Sequence, residues 1–337
     1  MENISPVYAR FVLRELTNRG VEASEVLAGT GMPQEQLETG GDLSVEDFVT
    51  ILNNGRRLSG DEKLGLMIGR HSKLMTLGPL GAAVANAPTI REGLQTFETY
   101  LRLHTTYITM TLRSNLKGMS VEVQFLQDLS DTERFHSESA ALMLQDYIET
   151  VAGRPLDDAH YHFSFPRPGY ADEYGSCLHS PVDFGNALMS IELPRHWLEL
   201  KSPYYHADLW RQSQLELSRK LKEQGSDNER AYSQYIVSQL RSHEPPLPDL
   251  VSIADSLHLS ERTLSRRLSQ EGSNYRELKS RVLKDWARQY LLHTADSVES
   301  IAVCLGYQDA ANFRRAFRQW EKCSPREFRE QARCRHE

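Results

Sequence analysis

The sequence predicts an α+β front domain, helices packed on a small sheet, followed by an all-α domain with two helix-turn-helix motifs joined by a long helix. Three observations predict it. Two stretches near the C-terminus repeat one pattern: a short apolar helix, a tight turn, and a second helix carrying exposed arginines. Between residues 107 and 193 the apolar period switches to two, the mark of half-buried strands. The charge also divides. Residues 229–337 hold 18 Lys and Arg against 15 Asp and Glu, net +3, while the remainder is net −10. The chain total of −7 hides this division. Phosphate is attracted by a local basic surface, and an acidic front half repels it.

A length of 337 residues with 39% hydrophobic content sustains two or three packed domains. No apolar run approaches the roughly 18 residues of a membrane-spanning helix. The start, Met1-Glu2-Asn3-Ile4, lacks the basic-then-apolar order of a secretory signal. Cysteines 177, 304, 323 and 334 show no Cys-x-x-Cys spacing, and Cys304 falls in an apolar helical stretch that reads as core. A reducing cytoplasmic location, no zinc site and no cofactor are expected.

Residues 5–75 read as helices, with Tyr8, Phe11, Val12 and Leu16 at helical spacing. Ser44, with Asp47 three residues on, is placed to cap the helix that follows. Gly29, Gly31, Gly40 and Gly41 punctuate the connections. Gly78-Pro79-Leu80-Gly81 is a turn before a helix, because no Lys-Ser/Thr follows to make a phosphate loop. Ile90, Leu94, Phe97 and Leu101 share one helix face. Strands are expected at Tyr107–Leu112 and Val121–Phe125, paired across the turn from Asn115 to Gly118. A helix over 136–151, a third strand at His160–Phe165 and a fourth at Ser190–Leu193 complete the sheet region.

No catalytic constellation emerges from this region. Ser137 and Ser139 beside His136 lack the Gly-x-Ser-x-Gly of a nucleophile elbow. His160 and His162 share a strand face, but no third ligand is spaced to join them, so no metal site is expected. Tyr100, Arg102, His104, Tyr107 and Phe125 lie near helix-sheet junctions and are the candidates for a small-molecule site. Each also has a plainer reading as core or rim.

The stretch 208–222 forms a helix with Trp210, Gln214, Leu217 and Leu221 on one face and Leu209 and Leu215 nearby. That stripe suits packing on its own domain or on a twofold partner. Residues 223–228 are polar, contain a glycine and form the linker, which sets the domains at 1–222 and 229–337. Tyr232, Ile236 and Leu240 then open the second domain.

In that domain Ser260 is placed as a helix cap, and Leu264 and Leu268 fall four apart on a buried face. Arg262, Ser265 and Arg266 occupy other faces, as on a recognition helix or, in the plainer reading, on an ordinary surface helix pair. The pattern returns with Ser300 to Tyr307, where Gly306 suits a positive φ, and with Asp309 as cap for Ala310 to Trp320. There Phe313, Phe317 and Trp320 form the apolar stripe, and Arg314, Arg315 and Arg318 point elsewhere. Between the copies runs a helix from Tyr275 to Leu292 with Leu278, Val282, Trp286, Ala287 and Tyr290 in phase. Its length, about 27 Å, suits two readers in successive major grooves, about 34 Å apart.

Four segments carry a family resemblance: Ser260 to Leu268, Ile301 to Tyr307, Phe313 to Phe317, and Ser324 to Arg329. Through them the C-terminal third resembles the AraC/XylS family of bacterial transcription regulators. The front of the chain is similar to the effector-binding domain of the ornithine-utilisation, virulence and quorum regulators. One departure is Cys323, where the family usually has glycine, so a positive φ there would be strained.

The resemblance places Arg262, Ser265 and Arg266 at base-facing positions of the first reader, and Ala310, Ala311, Arg314 and Arg315 at those of the second. It places Ser260, Thr263 and Asn312 on the DNA backbone. It implies double-stranded operator DNA, RNA polymerase and a small-molecule effector as partners, with activation as the usual mode. A homodimer through 208–222 is a further expectation. Two other readings stay open at this point: a ligand-independent architectural DNA binder, and a small-molecule-modifying enzyme fused to a DNA-targeting module.

Overall fold

The computed structural model of the chain describes residues 3–39, 43–224, 231–257 and 259–333. It divides into two compact units, Met1–Thr111 with Ser120–Gln224, and Leu112–Met119 with Gly225–Glu337. The expected linker lies, from residue 225 onward, outside the described residues, as do Gly40, Gly41 and Cys334.

The first unit opens with β1 (Asn3–Ile4), α1 (Val7–Thr17), α2 (Ala23–Val26) and α3 (Gln34–Thr39). Next, β2 (Leu43–Ser44) pairs antiparallel with β1 and runs directly into α4 (Val45–Ser59). Ser44 Oγ accepts from the Asp47 N–H at 3.0 Å, the cap its spacing suggested. α5 (Leu64–His71), α6 (Pro79–Ala85) and α7 (Ile90–Tyr100) follow, α6 entered through Gly78 at φ +57 with Pro79 in its first turn. The stripes of α1, α4 and α5 meet in one core that contains Val12, Leu16, Phe48, Ile51, Leu64 and Ile68.

The expected hairpin forms as β3 (Ile108–Ser114) and β4 (Gly118–Phe125). Asn115 Oδ1 closes its turn, accepting from the Lys117 and Gly118 N–H groups at 2.9 Å each. After α8 (Glu133–Ala152) come β5 (His160–His162), β6 (Val182–Asp183) and β7 (Met189–Pro194). The sheet order is β3-β4-β7-β5-β6. The third strand stops at His162, short of the expected Phe165. The edge strand β6 has only two residues, too few to show a period. α9 (Arg195–Leu198) and α10 (Ala207–Gln224) end the unit. α10 packs on it: Leu217 is buried, Gln214 donates to Thr96 Oγ1 at 3.0 Å, and Tyr100 and Ser218 share a 2.8 Å hydrogen bond. Leu209 and Leu215 stay exposed.

The described strands of the second unit are confined to its 112–119 segment, and its other described elements are helices. α11 (Ala231–Ser242), α12 (Leu250–Ser256) and α13 (Glu261–Gln270) precede the linking helix α14 (Tyr275–His293). α15 (Val298–Cys304), α16 (Ala310–Glu321) and α17 (Pro325–Arg333) follow. The faces expected to be apolar converge in one core: Leu264, Leu268, Leu278, Val282, Trp286, Ile301, Phe313 and Phe317 are all buried. Trp286 is 2% exposed within this core, and Tyr290 lies half-buried beside it.

Two expectations are corrected here. Cys304 is exposed, not core. The short α15 buries Ile301 and Ala302, with Leu305 just beyond it, and turns Val303 and Cys304 outward. The left-handed residue after α16 is Lys322, φ +60, not Cys323. The missing glycine therefore costs Cys323 no strain, and Lys322 carries the left-handed cost.

Candidate DNA-reading surface and effector cavity

Each reader is a short helix held by a cap at its start and a buried stripe behind. Asp249 caps α12, accepting from the Ser252 N–H at 2.8 Å. Ser260 caps α13, accepting from the Thr263 N–H at 3.2 Å, and its hydroxyl shares a 2.8 Å bond with Thr263 Oγ1. Leu264 and Leu268 fasten the helix to the core. The opposite side presents Arg262 and Arg266, both exposed and unpaired among the described residues, with Ser265 half-buried beside them. Arg267 instead lies over the Tyr232 ring, 5.4 Å from its centroid. It is an anchored arginine, not a free one.

The second pair repeats the construction. Ser297 caps α15, and Gly306 takes φ +81 in the turn. Asp309 caps α16, accepting from the Asn312 N–H at 2.7 Å and from Asn312 Nδ2 at 2.9 Å. Asn312 is thus already engaged by the cap. Ala311 and Arg315 are exposed, while Ala310 is half-buried against the core. Arg314 pairs with Glu299 of α15, so part of its donor set is already engaged.

Ala311, Arg314 and Arg315 border one concave surface with Arg318, Gln319 and Lys322. Sequence reasoning left these last three out of the site. Their positions, seven to eleven residues after Ala311, keep them on the face opposite Phe313 and Phe317, and that spacing was the available signal. A wider groove joins Arg315 and Asn312 to Arg276 and Arg281 of α14.

The first unit holds an apolar cavity of about 80 Å³. Tyr8, Phe48, Phe97, Tyr107, Phe135, His136 and Met143 are among its lining residues. Burial pushes the His136 imidazole down to about 3, so it is neutral at ordinary pH. Its Nδ1 lies 3.1 Å from the Tyr107 hydroxyl, and its buried Nε2 has no partner among the described residues.

Of the five effector candidates, only Tyr107 lines this cavity; Phe125 packs on His136 at 6.0 Å between ring centroids. Tyr100 bonds Ser218 of α10, and burial pushes His104 and Arg102 down; none of the three lines it. Their neighbours Leu101 and Thr105 line it instead. The lining comes from β1, α1, α4, α5, α7, the start of the sheet and α8, a convergence that no local period reveals. His136 beside Phe135 in a helix start was the one local hint.

His160 and His162 share a face as expected, and Asp183 of β6 joins them as the third donor that spacing did not show.

Two capped helix-turn-helix pairs on one linking helix, with a cavity-bearing unit ahead of them, define a ligand-responsive DNA-binding transcription regulator. The chain belongs to the AraC family. The model of the arabinose-binding domain of AraC transcription regulators, N-terminal, matches residues 20–202, and that of a helix-turn-helix domain matches 253–331. The chain is similar to the ornithine utilization regulator of Pseudomonas aeruginosa, 27% identical over 98% of this chain and 97% of the relative. It is similar to the transcriptional regulator VirS of Mycobacterium tuberculosis, 28% identical over 85% and 84% of the two chains. The crystal structure of the transcriptional regulator CdpR from Pseudomonas aeruginosa matches with a TM-score of 0.50 at 25% identity, covering 96% of this chain and 98% of that one. Among the described residues no helix is long and apolar enough to cross a membrane.

Proposed function

We propose that this regulator senses an uncharged, largely apolar small molecule in the Tyr107–His136 cavity and activates transcription by binding operator DNA through α13 and α16. The observation that carries this reading is the cavity itself. Among the described residues its lining holds no Asp, Glu, Lys or Arg, so a charged amino acid or polyamine would be desolvated there without a counter-charge. A neutral His136 offers one unused ring nitrogen to a hydroxyl or carbonyl head group.

Arg262, Ser265 and Arg266 read bases from the first helix. Ala310, Ala311, Arg314 and Arg315 do so from the second, with Ser260, Thr263 and Asn312 near phosphate. Arginine grips guanine O6 and N7, whereas an alanine methyl meets only a thymine methyl. The second helix therefore reads partly by apolar contact. Residues 1–222 form the sensing domain and 229–337 the reading domain. The exposed Leu209 and Leu215, with Tyr204 and Tyr205 just before α10, give a homodimer an apolar patch. The protein contacts RNA polymerase, acts in the cytoplasm where the operator lies, and releases its effector unchanged, without enzymatic turnover.

The test is a thermal-shift screen of the full chain against neutral amphiphiles, free fatty acids, sugars, ornithine and polyamines. A neutral amphiphile at a hundredfold excess over its Kd should stabilise by about 2.7 kcal/mol, be recovered intact and change operator affinity. His136→Leu should abolish the shift. Stabilisation by ornithine or a polyamine that survives His136→Leu would contradict the cavity assignment.

A further inference from the structure

The exposed side of β5 and β6 carries a cluster that neither the readers nor the cavity uses. His160 and His162 point the same way because they are two apart on a strand. The parallel register sets Asp183 of β6 opposite His162. His160 Nε2 and Asp183 Oδ2 are 2.7 Å apart, and His162 Nδ1 lies 4.0 Å from that same oxygen. The two rings stack almost parallel, with centroids 4.5 Å apart and 8° between their planes. His162 Nδ1 is buried and has no hydrogen-bond partner among the described residues. One carboxylate oxygen thus serves one imidazole and leaves the other unsatisfied.

We propose that His160, His162 and Asp183 bind one divalent transition-metal ion of the zinc class. Two imidazoles and a carboxylate suit zinc, cobalt, nickel or copper, whereas magnesium and calcium favour oxygen ligands. The three donor atoms lie within 4.8 Å of one another. A tetrahedral ion with bonds of about 2.1 Å holds its donors roughly 3.4 Å apart. The 2.7 Å separation must lengthen and the 4.0 Å one must shorten. Rotation of the Asp183 carboxylate, which is 61% exposed, is free to do both. Water fills the fourth position, as at an open zinc site. The bound ion ties the two-residue edge strand β6 to β5.

The experiment uses untagged, chelator-treated full-length protein, titrated with zinc sulfate by calorimetry and with cobalt chloride by visible absorption. One zinc ion per chain should bind and raise Tm, and cobalt should show the absorption of a tetrahedral nitrogen–oxygen site. Asp183→Asn and His162→Gln should each weaken binding by roughly tenfold or more, and magnesium should leave Tm unchanged. Asp183→Asn alters an exposed carboxylate, so it keeps the test open if His162→Gln folds poorly. Wild-type zinc affinity in Asp183→Asn, or equal shifts with zinc and magnesium, would overturn the proposal.

Discussion

At the scale of single residues, whether an arginine can read DNA depends on what already holds it. Arg266 is exposed and unpaired among the described residues, Arg267 lies on Tyr232, and Arg314 is held by Glu299. Arg266→Ala should therefore lose about 1–3 kcal/mol of binding and relax preference at one base position. Affinities on an operator and its single-base variants check this; unchanged preference would remove Arg266 from the readout. His136 makes a different kind of prediction. Its folded value is about 3, and in an unfolded chain it is about 6.5. Between those values the unfolded chain binds the extra proton, so stability rises with pH. The His136 contribution is complete above about pH 6.5 and is lost as pH falls toward 3. In His136→Gln the slope of unfolding free energy between pH 5 and 6 should be shallower by roughly 1.4 kcal/mol per pH unit. Denaturant titrations at several pH values measure that slope, and identical slopes would place His136 in water. The helix caps at Ser44, Ser260 and Asp309 were legible in sequence, because a cap is a matter of residue type and a spacing of three. The pairing of Arg314 with Glu299 and the third donor Asp183 were not, because both are tertiary.

Elements were legible in proportion to their length. α14, with 19 residues, shows its period through five turns, and its apolar phase gave the buried face almost residue by residue. Trp286→Ala should cost about 3–5 kcal/mol, the range for emptying a large buried aromatic site. Chemical denaturation of the full chain, followed in the second unit's transition, reads that cost. A midpoint unmoved by the change would show that the site collapses or is wet. The shorter α15 misled the sequence reading at Cys304: seven residues give two turns, and an apolar residue there need not face inward. The two-residue strands β1, β2 and β6 carry no period at all. They exist because neighbouring strands or helices hold them in place. α10 answers its own question in part, since its Leu217 face packs inward while Leu209 and Leu215 remain for another surface.

For the whole molecule, the decisive sequence features were repetition and charge division. Two copies of helix, turn and capped helix, joined by a 19-residue helix about 28 Å long, set the readers' spacing. The cavity was not legible in the same way. Its lining is assembled from helices far apart in sequence, so only Tyr107 of the proposed set lines it. The most direct measurement is a hydroxyl-radical and base-methylation footprint of the full chain on a selected operator. Two protected major-groove stretches on one DNA face, about 10 base pairs apart, are the expected result, with Arg266→Ala weakening base protection only in the first and Arg315→Ala only in the second. A single protected groove, or two that both survive these changes, would contradict reading by α13 and α16.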